Sequence, residues 1–466
     1  MKVAYFSLAT KIQMKIIIVG CGKVGSSLAE QLNQEGHEIT VIDREQRVVE
    51  QVSISCDIIG FVGDGVSYSI QIEAGVKEAD LLIAVTDSDE KNLLCCLMAK
   101  KAGGCKTIAR VRNPIYYKEM RYLREELGLS MIINPEKAAA QEMAKLIRFP
   151  SAIKVDTFAK ERVELLQVNI PIGSKLHQCA IMDIGKRIGV DILICAVERK
   201  EEIIIPTGSF LLQEEDRISI MGSYQQVYHF LRKIGVKIPK VKNAMLIGGS
   251  RLAYYLTEML LESGIQVRII EKEKQRCEEL SELLPKAIII EADGTDKDVL
   301  EEEGLKRMDF FAALTNLDEE NIMLALYAKR YSEAKVVTKV NHLRFEDVIE
   351  DLNLGSVVYP KYITANSILQ YVRARQNSYG SNVETLYKII NNRAEALAFR
   401  IRPTCSIVER TFEELQLKEN VLVCCIIREG KVIMPRGQDV MKVGDVVIVV
   451  TTHTRLHDIE DILKER

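Results

Sequence analysis

Hydrophobic positions along the chain fall into two alternating patterns. Short β-branched and aliphatic runs recur at Ile16–Val19, Ile39–Ile42, Ile58–Val62, Leu81–Val85 and Thr107–Val111. Stretches with apolar residues at helical spacing lie between them, for example Val24–Gln34 and Asn92–Lys101. Continuous apolar runs mark strands buried on both faces, and strands separated by helices pair in parallel. The front of the chain therefore predicts a parallel sheet with helices on both sides. The pattern changes at Pro150–Lys154. Leu165–Ile170, Asp191–Val197, Ile203–Ile205 and Arg217–Met221 then read as strands, and one helix near Tyr224–Ile234 closes the segment. This second part predicts a small α+β domain.

The whole arrangement occurs twice. Asp64 in Val-Gly-Asp-Gly matches Asp293 in Glu-Ala-Asp-Gly, with 293 − 64 = 229. Thr86 matches Thr315, Pro206-Thr-Gly208 matches Pro435-Arg-Gly437, and Asp216 matches Asp445, all at the same offset. Gly20 matches Gly248 one residue short, as a single deletion leaves. Such a period is the signature of a duplicated unit. A second change of periodicity near Asn377–Asn382 gives four expected domains, at 14–150, 154–237, 242–377 and 382–466.

The junction of the first strand and first helix reads Gly20-Cys21-Gly22-Lys23-Val24-Gly25, a G-x-G-x-x-G loop. In such a loop the first glycine allows the tight turn and the second admits a pyrophosphate against the backbone. The third allows close helix–strand packing. Backbone N–H groups at the helix start are an anion site. Asp43 closes the second strand, where an acid meets an adenosine ribose diol and repels a 2′-phosphate. NAD(H) or ADP/ATP is favoured over NADP on that account. A purely structural glycine turn is the alternative, and the strand, helix and acid together weigh against it. The fold class is thus α/β: two tandem Rossmann-like parallel-sheet domains, each followed by a small α+β domain.

The second copy reads Gly248-Gly249-Ser250-Arg251-Leu252-Ala253, with Glu271 at the acid position. Ser250 puts a side chain where the pyrophosphate is expected to pass, so this loop is either a weaker site or a retained scaffold. Asp64 and Asp293 follow the third strand of each copy, where they either contact an adenine or cap the next turn. Thr86, Asp87 and Asp89 precede a helix and suit N-capping. They also lie at the carboxyl ends of parallel strands, where ligands of this fold bind. Arg110 ends the fifth strand, with Arg112 two residues on; it either meets outer phosphates or makes a surface salt bridge. Lys339 replaces Arg110 in the second copy, keeping charge but losing the bidentate fork.

The bulk properties remove other classes. An apolar fraction of 47% and a charged fraction of 28% suit a folded globular chain. A net charge of −3 without basic tracts argues against nucleic acid. No apolar run reaches the ~18 residues of a membrane span. Eleven scattered cysteines without C-x-x-C spacing fit a reducing compartment, so the cytoplasm is expected. Cys95-Cys96 and Cys424-Cys425 read as small core residues. Among the six histidines only His453 and His457 have helical spacing, and no third metal ligand is evident. No acid/base constellation accompanies the glycine loops and no P-loop is present, so a catalytic role lacks machinery. Residues 1–13 precede Met14 and the first strand; they read as an extension or as a start site placed too early.

These features together resemble the TrkA type of Trk potassium-uptake regulatory protein, with tandem "regulator of potassium conductance" domains. The resemblance rests on Lys15–Gly25, Ala84–Asn92, Ile108–Arg112 and Ala313–Ile322, and covers Met14 to the C-terminus. It implies binding of NAD(H) and adenine nucleotides, with contacts on Gly20–Val24, Asp43, Thr86, Asp87 and Arg110. It implies docking beneath an integral membrane potassium-transport subunit, peripheral to the inner face of the membrane. It also implies a homo-oligomeric ring, expected to be a tetramer. The rival readings are an NAD-dependent oxidoreductase and a regulator of another cation transporter.

Overall fold

A computed structural model describes residues 13–464, apart from 150–151, 159–162, 191, 201, 237, 239, 342–348, 350–351, 353, 378–382, 390–392, 404, 454–455 and 457. The chain forms two compact units, one of residues 1–135 with 361–379 and one of 136–360 with 380–466.

The first unit is built on six parallel strands: β1 (Lys15–Val19), β2 (Glu38–Asp43), β3 (Ile59–Val62), β4 (Leu81–Ala84), β5 (Lys106–Arg110) and β6 (Met131–Ile133). Their order is β3-β2-β1-β4-β5-β6. Helices α1 (Lys23–Gln34), α2 (Gln46–Cys56), α3 (Tyr68–Glu73), α4 (Asp89–Gly103), α5 (Pro114–Lys118) and α6 (Met120–Glu126) link them. The chain winds outward from β1 to β3 and then returns to β4 on the other side of β1. The strand order therefore reverses between β1 and β4, which is where this fold opens a crevice. The unbroken apolar run of β1 is explained by its two faces. Ile16 and Ile18 pack with Leu28 and Leu32 of α1, while Ile17 and Val19 pack with Ala84 and the buried Cys95 and Cys96. Helix α14 (Pro360–Asn377), far along the chain, completes the first face with Ala365, Ile368, Leu369 and Val372. Arg373 of α14 grips Glu35 through two hydrogen bonds of 3.1 and 2.5 Å.

The second unit opens with α7 (Pro135–Arg148), whose Lys137 lies 6.0 Å above the ring of Tyr255. It continues with β7 (Lys154–Phe158), β8 (Val163–Asn169), α8 (Ile184–Ile188), β9 (Leu193–Arg199), β10 (Glu202–Ile204), β11 (Arg217–Gly222) and α9 (Tyr224–Lys233). The strands pair antiparallel in the order β10-β9-β11-β8-β7. A second parallel sheet follows: β12 (Asn243–Ile247), β13 (Gln266–Glu271), β14 (Ile288–Glu291), β15 (Phe310–Ala313), β16 (Lys335–Lys339) and β17 (Ser356–Val358). Its order, β14-β13-β12-β15-β16-β17, repeats that of the first. The connecting helices are α10 (Arg251–Glu262), α11 (Lys274–Leu283), α12 (Lys297–Glu302) and α13 (Asp318–Tyr331). The last five strands are β18 (Val383–Ile389), β19 (Ala394–Arg400), β20 (Val421–Arg428), β21 (Lys431–Ile433) and β22 (Val446–Thr451). They form another antiparallel sheet. The duplicated α/β and α+β plan predicted above is therefore present. Strands β6, β7, β17 and β18 were not among those predicted, and two of them are only three residues long.

The two antiparallel sheets share one core. Small side chains line it: Ala394, Ala396 and Ala398 on β19, Cys424 and Cys425 on β20, and Cys195 and Ala196 on β9. The paired cysteines thus fill space as small apolar groups. Among the described residues no cysteine forms a disulfide. Residues this small let sheets approach closely and fill the gap without voids.

The repeated aspartates acquire a structural reason. Asp216, 2% exposed, accepts two hydrogen bonds from the Arg199 guanidinium, both 2.7 Å, and a third from the Gln213 N–H at 2.8 Å. Asp445 repeats this with Arg428 at 2.9 and 2.8 Å and the Lys442 N–H at 2.7 Å. A bidentate guanidinium–carboxylate pair whose carboxylate also accepts a backbone amide is stable under burial; removing one partner strands the other. Asp216→Ala or Asp445→Ala is expected to cost about 3 kcal/mol in urea unfolding of the full chain. A loss below about 1 kcal/mol would show that the pair behaves as an exposed one.

Candidate functional site

The carboxyl ends of β1, β2, β4 and β5 meet at the crevice of the first parallel sheet. The chain leaves β1 through Gly20, whose φ of +99° is one that side chains rarely adopt, and its N–H donates to the Ile42 carbonyl at 2.8 Å. A Cβ on Gly20 would lie 2.9 Å from the Thr86 nitrogen, so only glycine lets the loop pass β4. A Cβ on Gly25 would lie 1.8 Å from the Gly20 carbonyl oxygen, which is why α1 can seat against the loop. Gly22, by contrast, has extended backbone and would meet nothing within 4 Å. It is the N-cap of α1 and has no side chain to bond the first-turn N–H groups. The N–H groups of Lys23, Val24 and Gly25 therefore start the helix without an intrahelical acceptor, and that of Ser26 is the first to find one, on the Gly22 carbonyl at 2.9 Å.

Asp43, at the end of β2, reaches back to this loop. One carboxylate oxygen accepts the Cys21 N–H at 2.6 Å and the other accepts the Glu45 N–H at 3.0 Å. Each oxygen keeps a second acceptor direction. Cys21 contributes only its backbone here. Its side chain is buried beside Val49 and Val52, and burial with the nearby Asp43 charge pushes the thiol up to about 12. Asp64 caps the turn after β3, accepting the Val66 N–H at 3.1 Å, and pairs with Arg44. Burial opposes ionisation of Asp64, but the Val66 amide and Arg44 outweigh it and hold the carboxyl below the usual range.

Thr86 and Arg110 come together at the ends of β4 and β5, where the Arg110 guanidinium donates to the Thr86 carbonyl. The Asp87 side chain is exposed, and its carbonyl accepts from Arg112. The expectation that Thr86, Asp87 and Asp89 cap α4 is corrected. Ser88 is the N-cap, accepting the Lys91 N–H at 3.2 Å. Asp89 is already helical and points the other way, accepting the Arg112 and Asn113 N–H groups at 2.8 and 2.7 Å. Sequence reasoning passed over Asn92, which is fully buried between these strands. Its only signal was position: six residues after Thr86, as Asn321 is six after Thr315.

The second copy keeps this frame and changes its open end. Gly248 has φ +95° and its N–H donates to the Ile270 carbonyl at 2.8 Å. Glu271 accepts the Gly249 N–H at 2.6 Å, as Asp43 does for Cys21. The Ser250 hydroxyl turns back onto the Ala253 N–H at 3.3 Å and caps α10, so it occupies a helix-start donor. Arg276 of α11 donates to the Gly249 carbonyl at 2.6 Å, another contact that sequence reasoning passed over. Asp293 is a turn cap, accepting the Thr295 N–H at 2.9 Å and its hydroxyl at 2.7 Å. Lys339 is buried, its ammonium on the Leu314 carbonyl at 3.3 Å and the Asn316 amide oxygen at 3.4 Å. His453 Nε2 lies 2.7 Å from the Glu419 carbonyl, and His457 falls outside the described residues.

The TrkA-N domain family matches residues 16–135 and 244–360, and the TrkA-C domain family matches 165–235 and 396–464. The "Trk system potassium uptake protein TrkA" of Haemophilus influenzae is 30% identical over 456 residues, 97% of this chain and 99% of that one. This chain belongs to the TrkA family. A TrkA homologue of Methanosarcina mazei is 29% identical across 97% of this chain and 100% of its own length. Among solved structures, the GsuK channel superposes with a TM-score of 0.62 at 16% identity, covering 97% of this chain and 78% of that one. The GsuK RCK domain gives 0.61 at 16% identity, covering 95% and 93%. These likenesses establish the shared fold of a TrkA-family chain. Among the described residues, no helix is long and apolar enough to cross a membrane.

Two glycine substitutions separate packing from binding in this loop. Gly25→Ala is expected to lower stability by about 3 kcal/mol or more, and Gly22→Ala to stay within about 0.5 kcal/mol of the parent. Thermal melting of both variants checks this, and equal melting temperatures would contradict the steric reading.

Proposed function

We propose that this chain is a cytosolic nucleotide-sensing regulatory subunit of a membrane potassium uptake system, with NAD(H), ADP or ATP bound in the first parallel domain. The observation that carries the reading is the uncapped start of α1 at Gly22, set beside the Asp43 carboxylate at the point of strand reversal. Free N–H donors at a helix start take a phosphate, and a carboxylate next to them takes ribose hydroxyls. In this reading Gly20–Gly25, Asp43, Asp64, Thr86, Asp87 and Arg110 hold the nucleotide. The second set, Gly248, Gly249, Ser250, Glu271, Asp293 and Lys339, binds more weakly, because Ser250 claims a helix-start donor and Lys339 is buried where Arg110 is partly exposed. Support from relatives is their description as potassium uptake proteins and a GsuK channel structure with NAD bound.

A sensor acts by binding one conformation more tightly than another; equal affinity for both shifts nothing. Nucleotide binding therefore sets the conformation of a four-domain chain, divided at 14–150, 154–237, 242–377 and 382–466. That chain assembles as a homotetramer and docks through protein contacts under an integral potassium-transport subunit. Its role is regulatory rather than catalytic.

Asp43→Ala is expected to weaken NADH or ADP binding by about 1–3 kcal/mol, the cost of donors left without a charged acceptor. Unchanged calorimetric affinity for both nucleotides would sink the site assignment. Reconstitution with the membrane subunit in liposomes should give potassium flux that responds to ATP or NADH. Flux indifferent to every nucleotide would refute the sensor role, and sustained turnover of NADH with a small-molecule acceptor would replace it with an oxidoreductase.

A further inference from the structure

We propose that Asn92 is the positioning residue of the first nucleotide site, setting the ends of β4 and β5 where the ligand's phosphates lie; this rests on the nucleotide reading above. Asn92 sits in the first turn of α4 and is fully buried. Its Oδ1 accepts the Thr86 N–H at 2.8 Å and the Thr86 hydroxyl at 2.7 Å. Its Nδ2 donates to the Thr86 carbonyl at 3.2 Å and to the Arg110 carbonyl at 2.9 Å. A side-chain amide offers two donors and accepts at two lone pairs, so every capacity is used on two residues of the crevice. The Arg110 guanidinium also lands on the Thr86 carbonyl, which makes Asn92 the hub on which Thr86 and Arg110 are set relative to each other. No other side-chain type of this size supplies two donors and two acceptors from one planar group.

The second copy has the same hub. Asn321 accepts from Thr315 N–H and hydroxyl, both at 2.9 Å, and donates to the Thr315 and Lys339 carbonyls at 3.1 and 3.0 Å. The chain thereby carries its own control, an equal structural role away from the first site.

The test uses the full chain, with ADP and NADH as probes. In Asn92→Asp the shape is kept, but a carboxylate oxygen replaces Nδ2 and faces the two carbonyls it used to bond. Affinity at pH 8 should fall about tenfold or more. It should recover as pH is lowered, because a protonated carboxyl regains a donor for those carbonyls. Asn321→Asp should lower the melting temperature comparably and leave the tighter nucleotide affinity unchanged. In the parent chain, ADP should slow hydrogen exchange at the Thr86 amide, a readout independent of whether the variant folds. Parent-like affinity of Asn92→Asp at pH 8, an equal loss in Asn321→Asp, or a Thr86 amide indifferent to ADP would each overturn the inference. A parent chain that binds neither probe would overturn the nucleotide reading and this inference together.

Discussion

The crevice of the first parallel domain depends on how closely the backbone can pass between β1 and β4. A Cβ on Gly20 would lie 2.9 Å from the Thr86 nitrogen, and α1 seats with Gly25 on the Gly20 carbonyl. Any side chain at either position would push the helix start away from the strand ends. Asp43 would then lose the Cys21 amide, and the donors of α1 would no longer face the same volume as Thr86 and Arg110. A steric constraint on two glycines thus decides where an electrostatic site can exist.

Duplication makes the separate contributions visible. Both copies retain the positive-φ glycine, the acid on the loop amide and the buried asparagine that ties the two strand ends. These are the parts that hold the carboxyl ends of the strands together. The copies differ where a ligand would touch: Gly22 against Ser250 at the helix start, and Arg110 against Lys339 at the end of the fifth strand. The shared contacts fix the frame of each copy, whereas these two positions bond differently in each: Ser250 caps α10 and Lys339 is buried on the Leu314 carbonyl.

The antiparallel sheets of the second unit follow a different logic. Their shared core is lined by alanine and cysteine, which allow a close approach, and in each sheet a guanidinium–carboxylate pair ties the ends of two neighbouring interior strands. The buried thiols Cys424 and Cys425 are pushed well above their ordinary values by desolvation, so they act as small apolar groups.

Much of this was legible along the chain. The alternating periodicities, the 229-residue repeat and the glycine loop with its acid determined the fold class, the duplication and the crevice, because each is a local pattern set by steric and hydrophobic rules. The three-residue strands escaped notice because so few residues carry no periodicity. The direction of the Ser250 hydroxyl, the role of Asp89 and the saturation of Asn92 were not legible either. Each depends on which donors lie within 3 Å once separate strands have been brought side by side, and a polar residue's type does not say which backbone group will reach it. The same holds for α14, whose apolar face joins a core assembled more than two hundred residues earlier. Sequence by itself determined what elements form and what chemistry they carry. Tertiary structure alone decided which polar groups satisfy each other and which remain open to a ligand, because hydrogen bonding is fixed by distances that only packing sets.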